Sequence, residues 1–399
     1  MRCRAKRPDP SLDVPFGGAQ ADIETLVSRF DHTHRSRVRR LVRSSQRLAD
    51  LAIVFPGALH VLAGLRGSPK RRQKALTLIA EGAALRDVAA ALDLPMWLRR
   101  LPPEAFAGWE GSLPKSETFA RRIANHLPTA AEDSAFWLRS VAFGVQACDD
   151  YFALWLAQQA VFMEPGDSER LFGLLAAYAW FSNAAPFPAG DLIVMPWRPV
   201  MALDTAVCAA KSWLNRLRLV VQLKEGVLSD PWLSPGEARG FTFRPLLDQK
   251  AILAEAHAMQ NCADQYADRL ARDKCRIFSV LRRGVRVATL EIGPHPREAG
   301  VLAISQLKAR HNLPAGVEIW QAAHTWIGQQ TELKRSSTGL LPDRPLDTDT
   351  WTALLAPYRE ATNGASWMPE SASKDTFLLI ENGIAELARR AGITSWLFT

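Results

Sequence analysis

The side chains in this sequence best suited to recognition are arginines. Arg35, Arg37, Arg39, Arg40, Arg43 and Arg47 follow one another with no acidic residue from 35 to 47. On a helix they make a face of one sign, which is a candidate binding surface for phosphates. The plainer reading is a solvated face, or a helix that pairs with acidic groups elsewhere in the chain. A second basic cluster holds Arg66, Lys70, Arg71, Arg72 and Lys74. Metal chemistry has little to build on. His257, Cys262, Cys275 and His295 are the main His/Cys group of the C-terminal half, their intervals match no common zinc pattern, and the chain has no C-x-x-C. No metal and no cofactor is expected. The phosphate-cradling G-x-x-x-x-G-K-[ST], the dinucleotide G-x-G-x-x-G and the nucleophile elbow G-x-S-x-G are likewise missing.

Cys262 is where two local structures make opposite claims. In a continuous helix from Leu246 to Arg272 it shares a face with Ile252, Met259, Tyr266 and Leu270, and is a small buried hydrophobe. With a break near Gln260, Asn261 becomes an N-cap with Asp264 three residues on, and Cys262 opens a helix whose dipole favours its thiolate. The continuous helix has the better claim, because Ala251 to Met259 carries no strong stop signal.

The elements around these residues fall into two characters. Residues 1–20 mix Pro, Gly and charge and read as a mobile basic tail. From Ala21 to about Asn183 the apolar spacing is helical, with Val38, Leu41, Val42 and Leu48 on one stripe. Ser134 is placed to cap a long helix running to Leu156. A Pro/Gly-rich linker with one helix covers 184–244. From 245 to 335 a helix leads into three strand-like runs, Arg276–Leu281, Val285–Ile292 and Val301–Leu307, and then a helix from Val317 to about Glu332. Gly284 after Arg283 marks a hairpin turn. Residues 336–399 form a C-terminal extension. The expected fold class is α+β: a mostly helical N-terminal domain, then a small module with a three-stranded antiparallel meander between helices.

The chain has 399 residues, 48% of them hydrophobic, and a formal net charge of +8. That excludes a disordered or collagen-like chain and favours polyanionic partners. Five cysteines at irregular intervals argue against a disulfide scaffold. No apolar run is long enough for a membrane span, and Pro8, Asp9 and Pro10 interrupt the basic start where a signal peptide needs its apolar segment. A cytoplasmic protein is expected.

The run Met259–Gln260–Asn261–Cys262, then Tyr266, Ile277–Phe278–Ser279–Val280, Ala288–Thr289–Leu290–Glu291–Ile292, Ile304–Ser305–Gln306 and Asn312 resembles the PcfJ-like family over about 245–330. Three positions depart from that family's pattern. Asn261 stands where a His is usual, Ala263 replaces a Val, and Ala309 replaces a Gly. The first removes the most obvious general base beside the cysteine.

The resemblance implies association with plasmids, conjugation or other mobile elements, and it selects Cys262, Tyr266, Glu291, Gln306 and Asn312. Alternation sets Thr289 and Glu291 on the strand face opposite Leu290 and Ile292. If the apolar pair faces the core, Glu291 lines a cleft or the outer surface. Three functions follow. The first is binding of DNA, RNA or a mobile-element protein partner through the basic helical faces, with Gln306 and Asn312 as further binding residues. The second is an enzyme of unknown reaction using Cys262 and Glu291 as catalytic residues. The third is a non-catalytic interaction scaffold, in which Glu291, Gln306 and Asn312 merely satisfy backbone groups.

Overall fold

The computed structural model describes residues 19–64, 68–109, 112–159, 168–223, 228–334, 346–364 and 367–394. The expected tail 1–20 lies almost wholly outside them, as does Arg66 of the second basic cluster. The chain divides into two compact units, Met1–Ala142 with Phe162–Pro165, and Phe143–Val161 with Gly166–Thr399.

The first unit is helical. Its helices are α1 (Ala19–Ser28), α2 (Arg35–Ser44), α3 (Gln46–Val54), α4 (Pro56–Ala63), α5 (Pro69–Glu81), α6 (Leu85–Leu92), α7 (Glu117–Ile123) and most of α8 (Ala131–Ala147). The stripe expected after Arg35 is real, but Ser45 adopts extended backbone and splits it into α2 and α3. Val38, Val42 and Leu48 are buried. Ser134 caps nothing. It lies inside α8, with its hydroxyl returned to the Ala131 carbonyl, and the expected long helix stops at Ala147. Asp149 starts the next one by accepting from Phe152 N at 2.8 Å.

The second unit carries α9 (Asp150–Ala157), α10 (Ser168–Asn183), α11 (Leu203–Gln222), α12 (Gln249–Met259), α13 (Ala267–Ala271), α14 (Val317–Gly328), α15 (Thr348–Ala361) and α16 (Lys374–Arg390). The expected boundary at 183 and the separate extension after 336 do not describe its packing. Helices α10 and α11 pack against α15 and α16 in one body. Gly383 is part of the reason, since a Cβ there would overlap the Arg170 carbonyl oxygen on α10.

The sheet has five strands where three were expected: β1 (Gly236–Ala238), β2 (Phe241–Pro245), β3 (Arg276–Arg282), β4 (Val285–Pro294) and β5 (Leu302–Lys308), in sequence order and antiparallel throughout. Two turns of the same kind set the register. Arg239–Gly240 and Arg283–Gly284 each link strands with both residues at positive φ, the two-residue turn that matches strand twist. One face of the sheet packs Phe243, Phe278, Leu290 and Ile292 against α14, where Phe243 and Trp326 stack at 4.6 Å. The other face turns Ile277 toward an apolar cluster of α11, α12 and α13. Ser279, Thr289 and Glu291 share that face by alternation, and all are polar.

Candidate functional site

Helix α12 ends at Gln260, a non-glycine residue in the left-handed region (φ 48°). The continuous helix expected from Leu246 to Arg272 is therefore not formed. Asn261 Oδ1 accepts from Ala263 N at 3.1 Å and Asn261 Nδ2 donates to Thr289 Oγ1 at 2.8 Å, so one carboxamide both turns the chain and ties it to the sheet. Asp264 does not complete a capping box. It is buried and accepts from Arg216 Nε of α11 at 2.8 Å. Burial still holds its carboxyl above the ordinary carboxylate value.

The break turns Cys262, Tyr266, Glu291, Gln306 and Asn312 onto one small cleft, which Lys308 also lines. Its volume is about 20 Å³, room for a single water. Tyr266 donates its hydroxyl to Glu291 Oε2 at 2.9 Å and sits 3.5 Å from Gln306 Oε1. Arg269 pairs with both Glu291 oxygens, and its guanidinium lies 5.1 Å from the centre of the Tyr266 ring. Glu291 is thus a buried carboxylate with its hydrogen bonds filled. Burial first, and Glu291 second, push the Tyr266 phenol up. A parallel chain runs alongside. Thr289 donates to Glu255 Oε1 at 2.7 Å, and Arg286 donates to Glu255 Oε2 at 2.9 Å.

Cys262 donates to Asn312 Oδ1 at 3.6 Å. Burial raises its thiol above the ordinary value, with Asp264 and Glu291 adding to that and Asn312 opposing it. His311 and Asn312 are both at positive φ (59° and 58°), and this left-handed pair carries the Asn312 amide to the thiol.

A larger cleft adjoins the first and shares Asn261, Cys262 and Asn312 with it. Its volume is about 660 Å³, within the range of small-molecule sites. Its second wall is α11, through Cys208, Lys211, Ser212 and Asn215. The sequence reading missed these residues. Their spacing was the available signal, since positions 208, 211, 212 and 215 fall on one face of a helix whose other faces are apolar.

The arginine face of α2 is largely committed to protein. Arg39 and Arg43 both pair with Glu24 on α1. Arg35, Arg37 and Arg47 donate to the carbonyls of Phe30, Ala63 and Ile79 at 2.8, 3.5 and 3.1 Å. Among the described residues Arg40 alone of the six has neither a hydrogen bond nor an ion pair. In the second cluster Arg71 donates to Asp93, which also holds Lys115.

Among the described residues, no three or more His, Cys, Asp and Glu side chains gather as a metal site would require. Nor is any described helix long and apolar enough to cross a membrane. Comparison with protein-family models, with characterised proteins and with solved structures finds no match to this chain.

Proposed function

We propose that this chain is a cytoplasmic, mobile-element-associated protein that binds nucleic acid, and that it binds through the clefts of the second unit rather than through the arginine face of α2. The observation that carries this reading is the convergence of Cys262, Tyr266, Glu291, Gln306 and Asn312 on one cleft, from three separate stretches of chain. A scaffold would not need them together. The resemblance to the PcfJ-like family supports the mobile-element setting, and the net charge of +8 favours a polyanion. Lys308 lines the cleft with its ammonium unpaired among the described residues. The α2 arginines other than Arg40, by contrast, already hold partners in the protein.

The test is binding to single- and double-stranded DNA and RNA across a salt series. Lys308→Ala should reduce the log–log salt slope by about 0.7 to 0.9, the value for one lost phosphate contact. Arg39→Ala with Arg43→Ala should leave the slope unchanged. No binding to any nucleic acid at low salt would remove the reading in favour of a mobile-element protein partner.

A second reading, a reaction at Cys262 assisted by Glu291, is supported by their common cleft. It meets two obstacles. The thiol is held protonated by burial, and both oxygens of Glu291 are already engaged by Tyr266 and Arg269.

A further inference from the structure

We infer that the segment 193–202, with Tyr151 beside it, is a self-complementary surface on which two copies of this chain meet about a two-fold axis. The segment is neither helix nor strand, yet buried side chains fix its course. Trp155 Nε1 donates to the Met201 carbonyl at 2.7 Å, Trp213 Nε1 to the Ala189 carbonyl at 2.8 Å, and the Tyr178 hydroxyl to the Met195 carbonyl. Trp197 N donates to Ser182 Oγ at 2.9 Å, while the Trp197 ring is buried against Phe152 and Trp155. These bonds hold the backbone from beneath and leave apolar side chains outside. Val194, Met195 and Val200 are 52%, 50% and 89% exposed, and Pro196 and Pro199 are exposed between them. Tyr151, 55% exposed, stands one turn before Trp155 on α9 and so on the helix face that meets Met201.

A surface ordered before contact escapes the entropy cost that a mobile loop incurs on binding. Apolar side chains on an ordered loop, with an aromatic at the edge, have the composition of an interface centre. The charges say what the partner is. Arg198 is exposed within the patch, and Asp191 and Asp204 are exposed toward its two ends. Among the described residues Arg198 and Asp191 form no side-chain hydrogen bond or ion pair, and the Asp204 carboxylate accepts only from Thr205. A cation with an anion on either side becomes complementary to itself under a two-fold axis, where residue i meets j while j meets i. Arg198 of each copy then faces Asp191 or Asp204 of the other around the apolar centre. A polyanion would meet two carboxylates against one guanidinium, so nucleic acid has no claim on this surface. The patch is smaller than the ~20–30 residues a side of a standard interface, so the dimer is a weak one.

The experiment is sedimentation velocity of the full-length protein from about 1 to 200 µM, a range suited to a weak pair. The parent should pass from monomer to dimer across it. Met195→Asp with Val200→Asp should raise the dissociation constant at least about tenfold, with the circular dichroism of the parent, because both side chains are exposed. Arg198→Asp should weaken association by a similar factor, and so should Asp191→Arg with Asp204→Arg, since like charges then face each other. An equimolar mixture of these last two proteins should regain association, because each copy then meets opposite charge. A parent that stays monomeric throughout would overturn the inference and leave the patch to a different protein. A dimer indifferent to Met195→Asp with Val200→Asp would place the contact elsewhere and overturn it equally. A mixture no better associated than its components would overturn the two-fold pairing of Arg198 with the aspartates.

Discussion

The Tyr266 hydroxyl donates to Glu291 Oε2 at 2.9 Å, joining the segment after the α12 break to the middle of the sheet. Glu291 is 3% exposed, so its charge is tolerable only because Tyr266 and Arg269 fill its acceptor sites. Tyr266→Phe should cost about 1.5–3 kcal/mol, the usual effect of losing a hydrogen bond to a charged group. Arg269→Met should cost more, since it leaves the carboxylate without a counter-charge. Urea unfolding of both variants, followed by hydrogen exchange of β4 amides, checks the order. A Tyr266→Phe protein as stable as the parent would mean that the phenol is not holding Glu291.

Cys262 should behave as a poor nucleophile. Its thiol is raised above the ordinary 9.0 chiefly by burial, so the thiolate fraction at neutral pH is smaller than that of a free cysteine. Iodoacetamide labelling at pH 7 should be at least about tenfold slower than for an unhindered thiol. The rate should climb steeply only above pH 9. Labelling at pH 7 faster than a free thiol would restore the thiolate that the second functional reading requires.

Much of the sheet could be read from local signals. Gly284 after Arg283 marked the second hairpin, and alternation put Glu291 opposite Leu290 and Ile292, which are buried against α14. The first hairpin carries the same Arg–Gly turn at 239–240. It was hidden because β1 is only three residues long and Pro235 and Pro245 flank the pair. The α12 break was hidden for a different reason. Gln260 takes a left-handed conformation without being glycine, and the bonds that hold the next segment come from Thr289 and Arg216, far away in sequence. Long-range pairing also decided the α2 arginines. A window from 35 to 47 contains no acid, yet Glu24 on the preceding helix takes two of them.

The first unit should lose stability in mild acid. His60 is 6% exposed, lies 4.4 Å from the His34 ring centre, and packs on Phe106 and Trp109. Burial, with a smaller push from His34 and an opposing pull from Asp31, lowers its imidazole from 6.5 to about 4. The unfolded chain therefore binds the proton more tightly than the folded one. The associated stability is complete above pH 6.5 and disappears as pH falls toward 4, and it amounts to about 3 kcal/mol. His60→Leu should flatten this slope. Hydrogen exchange of α4 amides at pH 7 and pH 4.5 measures it, and parallel pH profiles for variant and parent would show that His60 is not the titrating group.

The Arg216–Asp264 pair should be far more sensitive to one substitution than to two. Both side chains are buried, Arg216 Nε meets Asp264 Oδ2 at 2.8 Å, and the pair joins α11 to the segment after Gln260. Asp264→Leu leaves a buried guanidinium with only the Leu192 carbonyl at 3.4 Å, a loss of about 3–5 kcal/mol. Combining it with Arg216→Met removes the stranded charge and should recover most of that loss, since apolar replacements of similar volume are often neutral. The two substitutions should therefore be strongly non-additive in urea unfolding. The double variant should also keep Asn215 and Gln265 where they are, because α11 and the α12 break would still be joined by apolar packing. If its losses simply sum, Arg216 and Asp264 do not act as a pair.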